Sequence, residues 1–186
     1  MIRGSHHFND VVDDLHDIIV TVASSKLGLE RSEVDSGKLQ LVLVGASIGG
    51  PIARLYTQQY SGVVAGAIIL DSNIVNANYS DIWPDPDAPG FDPKAVIAED
   101  CPTIEKYRET RAKLAMMFDL KVKNAESLDR STGPLLLPDA DGPKLVGVGE
   151  AGPFLSVVGH DPVIFAEGSL EKMGTPISLS MKFSNT

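Results

Sequence analysis

Apolar side chains recur at Val11, Val12, Leu15, Ile18, Ile19 and Val22 between Asn9 and Ser25, with Asp13, Asp14 and Asp17 among them. That spacing predicts an amphipathic helix with its apolar face towards a core and its aspartates towards water. Asn9 is placed to cap it, and Asp10 and Asp13 suit the positive end of the helix dipole. Lys26 to Lys38 reads as a polar connection with a glycine stop at Gly28. The run Leu41 to Val44 is wholly apolar, as expected of a central parallel strand covered on both faces. Helical spacing returns at Ile48, Ile52, Leu55 and Tyr56 and ends near Tyr60, and Val63 to Leu70 forms a second strand closing at Asp71. Strand, helix and strand in that order make a parallel crossover unit. It brings Ser47 and Asp71 to one C-terminal rim of the sheet, where ligands collect in open α/β sheets.

Periodicity is weaker beyond that point. Asn73 to Asp92, with Pro84, Pro86 and Pro89 and Asp81, Asp85 and Asp87, reads as a loop. Helical spacing resumes from Pro93 to Leu120, so residues 73–130 form a candidate helical cap inserted after the second strand. Met116 and Met117 there suit a substrate-facing lining and ordinary packing equally. Ser131 to Asp141 is a connection with a tight turn, and Lys144 to Val148 and Phe154 to Val158 are short strand candidates. Asp161-Pro162 opens a helix running to Met173, with Pro162 at a position that favours proline. The tail alternates Ile177, Leu179, Met181 and Phe183, a strand-like period.

Composition narrows the class. The 186 residues, 43% of them hydrophobic, suffice for one domain and its core. A net charge of -9 without a basic stripe argues against nucleic acid as a partner. The single cysteine, Cys101, excludes an internal disulfide framework and a cysteine-rich zinc site, and no metal or cofactor is implied. No apolar run is long enough to span a bilayer, and polar His6, His7 and Asn9 stand where a secretory signal would be apolar, which points to the cytoplasm. Met1 to His7 is set aside from the fold.

The candidate chemistry centres on Gly45-Ala46-Ser47-Ile48-Gly49-Gly50, the junction between the first strand and its helix. A serine on a sharp strand-to-helix corner is an exposed nucleophile, and glycines two places to either side relieve collisions across the turn. The Ile48 amide, at the helix start, is placed to meet a developing oxyanion. A capping serine in an ordinary glycine-rich turn is the competing reading. No lysine follows at P-loop spacing, so a phosphate cradle is disfavoured. A serine nucleophile needs a histidine base and an acid to orient it. His160 follows an apolar strand and is the better placed base, whereas His16, between Leu15 and Asp17, reads as a surface residue on the solvent flank of the first helix. Asp161 is the favoured acid, with Glu150 and Asp71 as alternatives and a helix cap as the competing role for Asp161. Adjacent residues at a strand end point apart, so His160 and Asp161 do not serve each other.

Val42 to Tyr56, with Phe8 to Leu15 before it and Val64 to Ser72 after it, resembles the α/β-hydrolase superfamily, specifically its G-x-S-x-G serine esterases. The resemblance covers about the first seventy residues. It implies a single, incomplete hydrolase domain over 1–186: a parallel sheet flanked by helices, with the early strands and the later histidine segment absent. It further implies hydrolysis of small carboxylic esters through an acyl-enzyme on Ser47, with an acid at Asp161 or Glu150. Turnover is expected to be weak, since no histidine follows His160. A sheet without its early strands also exposes an edge suited to self-association. The alternative is a noncatalytic binding or regulatory protein on the same scaffold. Dehalogenase-type chemistry on this scaffold would place aspartate where Ser47 stands.

Overall fold

A computed structural model of the chain describes residues 6–72, 79–122, 127–139 and 144–184. In chain order its elements are β1 (His6–His7), α1 (Phe8–Leu27), α2 (Arg31–Asp35), β2 (Leu41–Ala46), α3 (Gly49–Gln59), β3 (Val64–Leu70), α4 (Tyr79–Ile82), α5 (Ile104–Phe118), β4 (Leu128–Asp129), α6 (Gly133–Leu136), β5 (Phe154–Val158), α7 (Pro162–Met173) and α8 (Ile177–Ser184). The fold is α/β, with small parallel sheets flanked by helices. Two compact units divide it, Met1–Asn76 with Glu126–Gly159, and Ala77–Ala125 with His160–Thr186.

The first unit is built on a three-stranded parallel sheet in the order β2-β3-β5. Leu41 and Leu43 turn one face of that sheet to a core of Phe8, Val12, Leu55, Tyr56 and Val64, supplied by α1, α3 and β3. The opposite face is bare: Val42 and Val44 are more than 60% exposed, and Phe154 is 89% exposed. The expectation of a central strand covered on both faces therefore fails for β2, which among the described strands lies at the edge with β3 at the centre. An apolar run reports strand character but cannot say which of its faces finds a partner. β1 and β4 form a separate two-residue parallel pair.

Helix α1 shows why the first apolar face was only half legible. Its buried positions are Phe8, Val12, His16 and Ala23, with Leu15 and Ile19 half-buried, whereas Ile18 and Val22 are exposed. The true stripe advances four residues at a time from Phe8, and a histidine occupies its centre. The helix starts one residue before Asn9: His7 is the N-cap residue, its N–H donating to Asp10 Oδ2 at 2.8 Å. Gly28 ends the helix at φ 66, as its sequence position indicates. The polar connection after it contains α2, and Lys144–Val148 is no strand, since Val148–Glu150 forms a short 3-10 turn.

The second unit is helical among its described residues. Trp83 is buried at its centre, its indole N–H donating to the Leu179 carbonyl at 3.2 Å and its ring stacked on Phe183. Tyr107 packs in the same cluster and donates to the Pro84 carbonyl at 2.8 Å. Cys101 is fully buried there, and burial raises its thiol pKa, which disfavours the thiolate. The tail read as strand-like is α8. Thr175, Pro176, Leu179 and Ser180 are buried together, and that three-to-four-residue spacing is helical.

Candidate active site

Ser47 occupies the turn between β2 and α3 with φ 49, a left-handed conformation that costs a non-glycine residue on the order of 1 kcal/mol. Three bonds hold it. Its N–H donates to the Leu70 carbonyl at 3.1 Å, and its carbonyl accepts from Gly50 N–H at 3.1 Å and from Ser72 Oγ at 2.7 Å. The end of β3 therefore pins the corner at the end of β2. Asp71 is itself left-handed, φ 42, and its N–H donates to the Val158 carbonyl at 2.7 Å, which ties the end of β5 into the same rim.

The glycine requirement differs from the motif's expectation. A methyl group on Gly45 would lie 2.5 Å from the Gly49 carbonyl carbon and 2.9 Å from the Gly50 nitrogen, so this position admits no side chain. Gly49 has nothing within 4 Å of the same virtual atom and a negative φ, and its predicted steric role is not found. Gly50 takes that role, because its methyl group would fall on the Ser72 side chain, 2.6 Å from Cβ. Ser72 is thus a positioning residue that lies outside the motif itself. Its only signal was a doubled glycine facing the residue after Asp71.

Ser47 is exposed, and its hydroxyl makes no hydrogen bond to any described residue. Ile48 precedes the first turn of α3, and its N–H is unpaired among the described residues. An unspent amide beside an exposed serine, at the positive end of an eleven-residue helix, can receive an oxyanion.

The other candidates distribute as follows. Asp71 shares the rim with Ser47 within the first unit. Glu150 closes the Val148–Glu150 turn, and its side chain lies outside what the structure describes. His160 and Asp161 belong to the second unit. There His160 Nε2 bonds Ser184 Oγ at 2.9 Å and its ring stacks on Phe165. Asp161 Oδ1 accepts from the N–H groups of Val163 and Ile164 at 2.9 and 3.1 Å, which makes it the N-cap of α7.

His16 is the main correction. It is 2% exposed, not on a solvent flank. Its Nδ1 meets the Tyr56 hydroxyl and its Nε2 meets Asp35 Oδ1, both at 2.9 Å, while its ring stacks on Tyr60 with centroids 3.8 Å apart. A neutral imidazole satisfies both contacts, with Nε2–H donating to Asp35 and the tyrosine hydroxyl donating to Nδ1. Burial, with Tyr60 and Asp35 adding to it, pushes the Tyr56 pKa up to about 12 and keeps that hydroxyl protonated. Tyr56 is on α3 about 13 Å along the helix from the Ser47 corner, at 1.5 Å per residue, so this relay braces α1 and α2 against α3 and does not serve the serine.

Among the described residues, no three His, Cys, Asp or Glu side chains are grouped to hold a metal ion. No helix among them is long and apolar enough to cross a membrane. Compared with known proteins, the chain matches no protein-family model, no curated protein and no solved structure.

Proposed function

We propose that the chain carries the nucleophile elbow of a serine hydrolase that acts on small carboxylic esters, on an α/β-hydrolase-like scaffold with residues 73–130 as its cap. The observation that carries this reading is the left-handed Ser47, exposed at the sheet rim beside the unpaired Ile48 N–H. In this mechanism Ser47 Oγ attacks the ester carbonyl carbon and loses its proton to solvent. The carbonyl oxygen becomes an oxyanion facing the Ile48 N–H. Collapse breaks the bond to the alkoxy oxygen, which leaves protonated as the alcohol, and water then hydrolyses the acyl-serine.

Turnover on this chain is weak, because no base among the described residues bonds the serine hydroxyl. An oxyanion donor and binding without a complete triad sustain roughly a thousand- to ten-thousandfold acceleration over water. The same lack of a base favours a second reading, a noncatalytic protein that binds a carbonyl compound at the rim. Hydrolysis of a p-nitrophenyl ester by the chain, measured beside Ser47→Ala, separates the two. A slow rate that the substitution abolishes supports the hydrolase reading. Equal rates remove Ser47 as a catalyst, and fast serine-dependent turnover shows that a base has been missed.

A further inference from the structure

Strand β5 is the least protected element of the first unit. Among the described residues it pairs only with β3 and its outer edge has no partner strand, and all five of its side chains are exposed. Phe154 is 89% exposed and Val157 70%. Sheet edges of soluble proteins are ordinarily blunted by a lysine, a proline, an inward charge or a bulge. Phe154-Leu155-Ser156-Val157-Val158 has none of these. The bare face beside this edge is uncharged as well: in register across the three strands it carries Val42, Gly66 and Phe154, then Val44, Ile68 and Ser156, then Ala46, Leu70 and Val158.

The strand is also complementary to itself. Laid antiparallel against a second copy about a two-fold axis through Ser156, Phe154 faces Val158, Leu155 faces Val157, and Ser156 faces its own counterpart. Directly opposed residues in an antiparallel pair share a sheet face, and here every apolar residue meets an apolar partner, with aromatic against β-branched at both ends. A two-fold isologous contact requires this symmetry. We propose that β5 is a homodimerisation edge that joins two copies into a continuous six-stranded sheet in that register.

The edge is only about 17 Å long. A contact of that length falls short of the roughly 1,200 Å² at which stable interfaces begin, so the dimer forms and dissociates with concentration. β2, the other edge, is the weaker candidate: its Gly45 is buried, and its end is committed to the Ser47 turn.

Sedimentation of the full chain across a hundredfold range of concentration, together with cysteine cross-linking, tests the proposal. Opposed Cα atoms at the two-fold lie about 4.5–5.5 Å apart, within disulfide reach. Ser156→Cys should therefore give a covalent dimer under mild oxidation. Phe154→Cys alone should not, because its counterparts lie about 14 Å apart in this register. An equimolar mixture of Phe154→Cys and Val158→Cys should cross-link again. Buried Cys101 leaves the background low. Ser156→Lys, which sets two like charges face to face at an exposed site, should weaken self-association at least tenfold, with far-UV circular dichroism confirming an unchanged fold. Val44→Lys, on the bare face two strands away, should leave association intact. A monomer at every concentration overturns the proposal. So does cross-linking of Phe154→Cys equal to that of Ser156→Cys, or loss of the dimer with Val44→Lys alone, which would indicate face-to-face stacking.

Discussion

Replacing Gly45 by alanine should be among the most damaging single-methyl additions to this chain, and replacing Gly49, in the same motif, should be harmless. The added carbon at position 45 would sit 2.5 Å from the Gly49 carbonyl carbon, where carbon atoms pack at about 3.5–4.0 Å. Backbone on both sides of the contact cannot rotate away, so the corner must open by about 1 Å. That displacement breaks the bonds from Ser47 N–H to Leu70 and to the Ser47 carbonyl from Gly50 and Ser72. Three bonds at about 0.5–1.5 kcal/mol each, with about 1–3 kcal/mol for overpacking, give a cost of about 2.5–7.5 kcal/mol. That is a large fraction of the roughly 5–15 kcal/mol by which domains are stable. Gly49 opens onto empty space in the first turn of α3, so alanine there should gain up to about 1 kcal/mol from reduced chain entropy. Urea denaturation followed by far-UV circular dichroism measures both. Tryptophan fluorescence would report on the wrong unit, because Trp83 lies in the second. A Gly45→Ala protein within about 0.5 kcal/mol of the parent, or one no less stable than Gly49→Ala, would refute the steric account of the elbow.

Other consequences are equally open to measurement. His16→Leu should cost about 2–4 kcal/mol in urea denaturation, because it orphans the buried Tyr56 hydroxyl as well as removing two hydrogen bonds. Combined with Tyr56→Phe the loss should fall below the sum of the single effects, since the orphan is then gone, whereas strict additivity would contradict the relay. Tyr56 and Tyr107 are both pushed up to about 12 by burial, from an ordinary value near 10. Raised pKa values mean that the folded state holds these protons more tightly than the unfolded chain, so their contribution is complete below pH 10 and fades as pH rises from about 10 to 12. A stability profile that stays flat across that window would show that neither hydroxyl is desolvated.

The sequence was most legible where local geometry and chemistry coincide. The Leu41 and Val63 strands, the helix between them, β5 and α7 can be read from apolar runs, glycines and a proline, because those signals are local to each element. Coverage was harder to foresee. Val42 and Val44 look like core residues and face solvent, because burial depends on what lies opposite a strand and not on the strand itself. His16 was misplaced for the converse reason: a polar ring beside Asp17 looks exposed until Tyr56 and Asp35, distant in sequence, supply its partners. Ser47 and Ile48 are local features of one turn and so were visible in sequence, whereas the grip of Ser72 on that turn is a tertiary contact. Asp161 stands between a strand and a helix in the sequence, and in the structure its carboxylate caps the helix.

Everything functional in this account rests on Ser47 being a nucleophile. Intact-mass analysis and peptide mapping after exposure to p-nitrophenyl acetate test it most directly. A slowly formed acetyl adduct is expected on Ser47 and should be absent from the folded Ser47→Ala protein. No adduct on Ser47, or the same labelling of both proteins at other residues, would contradict it.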